Sequence, residues 1–139
     1  MASPRIPAGR IDALVAAALA ARKSAYAPYS RYKVGAAVLT GGGEIVSGCN
    51  VENASFGLCL CAERNAITTA IAMGEREIVA MAVATRGDPP APPCGPCRQF
   101  ASEFAVDMPI ILVNHKGDRV RTRLARLLPT PFRWKGAGT

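Results

Sequence analysis

At 139 residues, half of them hydrophobic but only 6% aromatic, the chain suits a single domain (residues 1–139) with one aliphatic core. No run approaches the ~20 apolar residues that span a bilayer, and the alanine-rich stretch at 11–21 lacks the layout of a cleaved signal peptide. Net charge is +7 and uneven: residues 116–135 hold seven Lys or Arg and one acid, Asp118. An anionic partner such as nucleic acid would need a platform for bases, and no aromatic interleaves Arg119, Arg121, Arg123 and Arg126. The preferred reading of this segment is therefore a solvated or intersubunit face.

In chain order, residues 1–9 carry Pro4, Pro7 and Gly9 and read as a loose arm. From 10 to 24 Ile11, Leu14, Val15, Ala18 and Leu19 recur at helical spacing. Pro28 ends that pattern by disfavouring helix in the residue before it. Residues 33–39 and 44–48 read as two strands of a hairpin turned at 40–43. A polar, irregular stretch at 49–60 leads to a helix over 61–73, closed by Gly74. A buried strand follows at 77–85, then a proline-stiffened loop at 86–93, a helix at 95–104 and a strand at 109–114. Residues 118–121 are expected to add to the sheet, and Thr122 to cap a last helix that Pro129 terminates after Leu128. The order α-β-β-α-β-α-β-β-α implies an α/β sandwich.

The chemistry concentrates in Cys61-Ala62-Glu63-Arg64 and, beginning at residue 93, Pro93-Cys94-Gly95-Pro96-Cys97. Zinc takes four ligands, and a catalytic site leaves one place to water. Cys61, Cys94 and Cys97 supply three thiolates, one zinc per chain, and Glu63 is well placed as a general acid/base. A lone C-x-x-C leaves a redox pair or half of a structural zinc site open. The redox pair needs no C-x-E partner, and a closed structural site needs a fourth ligand from Cys49, Cys59 or His115. Three thiolates on a divalent ion sum to −1, so the Arg64 guanidinium is expected to withdraw charge from the sulfurs, with Gln99 a weaker candidate for the same task. With three of five cysteines committed to metal, the chain is expected in a reducing cytoplasm without disulfides.

The C-x-E and P-C-x-x-C pair resembles the signature of zinc-dependent nucleobase deaminases, and the chain looks like a cytidine deaminase of the small homotetrameric type. Residues 26–37 (YAPYSRYKVGAA), 48–54 (GCNVENA) and 127–132 (LLPTPF) carry the resemblance beyond the metal motif. It implies a three-layer αβα sandwich with one mixed five-stranded sheet and helices on both faces. By the same resemblance Glu63 shuttles protons, the Ala62 backbone contacts the pyrimidine, and Asn50 and Glu52 hold the ribose hydroxyls. Tyr32 stands where the family usually has Phe against the base, and Phe132 would enter a neighbouring subunit's site. Phe56 stands where Tyr is common, and the tail at 133–139 is short and basic. The implied reaction is hydrolytic deamination of cytidine or 2′-deoxycytidine. Deamination of a cytosine-containing antibiotic such as blasticidin S is the alternative, and a nucleic-acid-binding or editing role is a more distant one.

Overall fold

Strand alternation decides which layer each core residue joins. The structure, a computed structural model, describes residues 5–136. Its elements are α1 (Ala8–Arg22), β1 (Gly35–Thr40), β2 (Ile45–Cys49), a 3-10 turn (Phe56–Leu58), α2 (Ala62–Ala72), β3 (Ile78–Thr85), α3 (Gly95–Ser102), β4 (Pro109–Asn114), β5 (Arg119–Arg123) and α4 (Leu124–Leu127). The five strands form one sheet in the order β2-β1-β3-β4-β5. Only β3 and β4 run parallel, joined through α3; the other pairings are antiparallel, so the sheet is mixed.

Successive side chains on a strand point to opposite faces, and the two cores divide accordingly. Ala37 and Leu39 of β1, Ala80, Ala82 and Ala84 of β3, and Ile111 and Val113 of β4 meet Ile11, Leu14, Val15 and Ala18 of α1. On the other face Ala36, Val38, Met81, Val83, Ile110 and Leu112 meet Ala62, Ala66, Ile67 and Ala70 of α2 and Ala101 of α3. The result is the expected three-layer αβα sandwich.

Two glycines let helices lie unusually close to the sheet. A Cβ on Gly35 would stand 2.1 Å from the Ala18 carbonyl oxygen of α1. One on Gly48 would stand 2.5 Å from the Ala66 nitrogen of α2. Backbone occupies the space a side chain would need in both cases, so α1 and α2 could not keep their positions against any other residue. Gly48 thereby fixes α2 against the strand that feeds the 50–60 segment.

Two of the expectations from the sequence change. Ala8 and Gly9 belong to α1 and not to a loose arm, because the Pro7 carbonyl accepts from the Arg10 and Ile11 amides at 3.0 and 3.2 Å and so opens the helix. Residues 1–4 of that arm, and 137–139 of the tail, lie outside the described residues. Thr122 does not cap α4: it lies within β5, and the residue before α4 is Arg123, which makes no side-chain cap bond. Asp107 does that work from across the sheet edge. Its Oδ1 accepts from the Ala125 amide at 2.9 Å and its Oδ2 from Arg123 Nε at 2.8 Å. The stretch after β2 is irregular as expected, and it is tied down. Val51 and Leu60 exchange both backbone hydrogen bonds, and Tyr26 is bonded to Asn50 and Glu52 on either side.

Candidate active site

The first turns of α2 and α3 converge on one point. Cys61 is the N-cap of α2, Cys94 is the N-cap of α3, and Cys97 follows in the first turn of α3. The three sulfurs lie within 4.8 Å of one another, with Cys61 to Cys94 at 3.9 Å and Cys94 to Cys97 at 3.3 Å. Tetrahedral zinc with bonds near 2.3 Å separates its sulfurs by about 3.8 Å, so the cluster fits that ion and leaves one position over. Among the described residues no other group of His, Cys, Asp and Glu is so arranged.

The donor set also asks for a cation. The hydrogen bond from Cys97, followed by Arg64, outweighs burial and brings the Cys61 thiol down to about 5, while Cys97 is pushed up, first by its bond to Cys61 and then by burial. Thiolate is thus favoured at Cys61 within a partly buried sulfur cluster. Both helices present their positive ends to it, which favours thiolate further. Arg64 Nη2 lies 3.6 Å from the Cys61 sulfur and 3.3 Å from the Cys59 carbonyl oxygen. Its Nε is buried without a hydrogen-bond partner, so the guanidinium spends its interaction on the cluster.

Glu63 sits in the first turn of α2 and is only 4% exposed. Burial pushes its carboxyl above the usual range, and the neighbouring Cys61 charge adds to this. A carboxyl raised in this way holds a proton more firmly than a surface acid, which suits a group that must carry one between two atoms. Ala62 beside it is wholly buried.

The 50–52 segment forms the other end. Asn50 Oδ1 accepts from the Val34 amide and its Nδ2 donates to the Tyr32 carbonyl, both at 2.8 Å. Glu52 Oε1 accepts from the Tyr29 and Ser30 amides at 2.9 and 3.1 Å, and Oε2 accepts from the Ser30 hydroxyl. The Ser30 hydroxyl and then its amide are the main reasons the Glu52 carboxyl lies below its ordinary value. A carboxylate has about four acceptor positions, so three bonds leave Oε2 one for a ligand. Tyr29, Ser30, Glu52, Phe56 and Cys59 line a cavity of about 330 Å3. Arg64 links this cavity's Cys59 to the sulfur cluster through its two contacts.

Tyr32 lies half-buried with the Arg86 guanidinium 5.3 Å from its ring centre. Gln99 takes a different position from the expected one beside the sulfurs. Its Nε2 donates to the Phe132 carbonyl and its Oε1 accepts from the Phe132 amide, each at 3.0 Å. Phe132 itself is 68% exposed. Tyr29 and Ser30 escape the sequence reading because their partner Glu52 is more than twenty positions away; the only hint is that they precede Tyr32 in the matched 26–37 run.

Residues 10–113 match the cytidine and deoxycytidylate deaminase zinc-binding region. The chain belongs to that family of zinc-binding deaminases. It is 44% identical to the cytidine deaminase of Sporosarcina psychrophila over 88% of this chain and 90% of that protein. With the cytidine deaminase of Halalkalibacterium halodurans it shares 45% over 86% of this chain and 91% of the other. The solved cytidine deaminase of Burkholderia pseudomallei superposes with a TM-score of 0.83 at 48% identity, covering 87% of this chain and 98% of that one.

Proposed function

We propose that the chain acts as one domain that hydrolyses cytidine or 2′-deoxycytidine to the uracil nucleoside and ammonia. The observation that carries this is a buried Glu63 beside three convergent cysteine sulfurs at two helix starts. Cys61, Cys94 and Cys97 hold the zinc, which supplies Lewis acidity toward water when bound.

The protein's own part is proton management and placement. Glu63 takes a proton from the attacking water as its oxygen adds to C4, and delivers it to N3 of the ring. C4 then carries both hydroxyl and amino groups. Glu63 passes the hydroxyl proton to the amino nitrogen; the C4–N bond breaks, ammonia leaves, and C4 keeps the oxygen as a carbonyl. Arg64 spreads the charge of the sulfurs, the Ala62 backbone and Tyr32 hold the base, and Asn50 with the free acceptor position of Glu52 holds the sugar hydroxyls. Gln99 acts by clamping the segment that carries Phe132.

The assembly belongs to the same reading. Phe132 on that clamped segment completes a neighbouring copy's site in a homotetramer; its 68% exposure in the single chain supports this. Light scattering that finds a fully active monomer removes that part. Among the described residues no helix is long and apolar enough to cross a membrane, and three cysteines kept as thiolates suit a reducing cytoplasm. The function is tested by ultraviolet absorbance with cytidine, deoxycytidine, cytidine 5′-monophosphate and blasticidin S. Loss of the aminopyrimidine band with the two nucleosides is expected; turnover of blasticidin S alone replaces the substrate assignment.

A further inference from the structure

The reaction just described uses no cation beyond the sulfur cluster's Arg64. Yet a second cleft of about 400 Å3 is walled by Arg22, Arg31, Lys33 and Arg86 over a floor of Ala27 and Pro28. No acid lines it. The ion pairs among the described residues engage Lys116, Arg119 and Arg123 and none of these four. Four like charges around one concavity repel one another, and the repulsion is relieved only by an anion or by solvent.

The surrounding structure holds them there. Arg31 has a φ of 59°, in the left-handed region that a side chain other than glycine rarely adopts, with its amide bonded to the Ala27 carbonyl at 2.9 Å. Arg22 spends Nε on the Lys33 carbonyl at 2.9 Å, which leaves its two terminal nitrogens as donors and fixes its guanidinium beside the Lys33 backbone. Arg86 lies against the Tyr32 ring and also faces the cleft.

We propose that this cleft is a binding site for a phosphate group. Guanidinium groups and an ammonium gathered around one concavity are the donor set by which proteins hold the multiply charged phosphate group. The volume falls in the range of small-molecule sites and exceeds what one inorganic phosphate fills, so the group belongs to a polyphosphate or to a nucleotide. The inference stands whether or not the chain deaminates cytidine, because its readout is binding and not turnover.

Isothermal titration calorimetry of the full chain with sodium tripolyphosphate at low ionic strength tests it. About one site per chain is expected, weakening as salt is raised. The double variant Arg31→Gln/Lys33→Gln should weaken it at least tenfold, Arg86→Gln severalfold, and the charge-matched Arg121→Gln/Arg126→Gln not at all. Circular dichroism melts confirm that each variant is folded. No binding to the wild type, or equal weakening in both double variants, overturns the site. Competition by non-reacting nucleosides sorts the source: displacement by uridine 5′-monophosphate but not uridine assigns a nucleotide phosphate, and displacement by neither assigns a free polyphosphate. Displacement by uridine itself overturns the proposal, because the anion would then occupy the nucleoside site.

Discussion

The two ends of the candidate site are built in opposite ways. The metal end is made by the first turns of two helices, with Cys97 and Glu63 buried, Cys61 half-buried and Cys94 reaching the surface. The other end, lined by Tyr29, Ser30, Glu52, Phe56 and Cys59, is a rim of loops on which Phe56 is 72% and Leu58 63% exposed. Helix starts place sulfurs by backbone geometry that one chain can enforce alone. A rim of exposed aromatic and aliphatic side chains instead gains from whatever covers it. On the proposed function, chemistry is preorganised within the fold and recognition falls to surfaces that a ligand or a second copy can complete.

Cys94→Ala strikes the preorganised end hardest. It removes one sulfur of three, and elemental analysis should show the loss of about one zinc per chain together with all measurable turnover and a lowered melting temperature. Metal content unchanged in that variant contradicts the ligand assignment. Glu63→Gln leaves the sulfurs in place and removes only the proton carrier. Zinc and fold should persist while kcat falls by ~10² to 10⁴, or further because two proton transfers share the residue; near wild-type turnover assigns Glu63 a structural role.

At the rim, effects should be smaller and fall on recognition. Glu52→Gln should lower kcat/KM for cytidine by roughly 10- to 100-fold, the scale of one charged hydrogen bond, while leaving metal content alone. Equal losses on cytidine and on free cytosine would detach Glu52 from the sugar. Away from both ends, Asp107→Ala should cost about 1–2 kcal/mol of stability in urea denaturation, since three partners lose their acceptor. Burial alone would raise the Asp107 carboxyl, but the bonds from Ala125 and Arg123 outweigh it and hold the group below its usual range. A depressed folded-state value means this stabilisation is complete above the unfolded value, about 3.9, and is lost as pH falls through the folded one. The difference between wild type and variant should accordingly shrink below about pH 4.

The sequence reveals most where information is local. The i, i+3, i+4, i+7 pattern of Ile11, Leu14, Val15 and Ala18 lies within one helix, and these four residues are its buried face. The C-x-E and P-C-x-x-C motifs are short, and each one carries its own helix start. The cap of α4 is not local: Asp107 is 18 residues from Ala125, and nothing near Thr122 competes visibly with it. Gln99 shows the same limit, since its proximity to Cys97 in sequence says nothing of the Phe132 backbone, 33 residues on, that takes both ends of its amide. The charge-rich segment is explained only in three dimensions, where Lys116, Arg119 and Arg123 pair with Asp88, Asp12 and Asp107. The first two pairs are exposed and contribute little, but together the three take up part of what looks like free basic charge.

The paired bonds between Gln99 and Phe132 have a consequence for how this protein breathes. An amide on an exposed segment normally trades its hydrogen with water at nearly the intrinsic rate. The Phe132 N–H cannot do so while it donates to Oε1 of Gln99, and Gln99 is held by the helix that presents Cys97. Release of that hydrogen therefore requires either unlatching of the amide or fraying of the helix itself. A backbone position at the surface, beside an aromatic ring turned to solvent, therefore reports on the latch that ties this segment to the helix carrying Cys97.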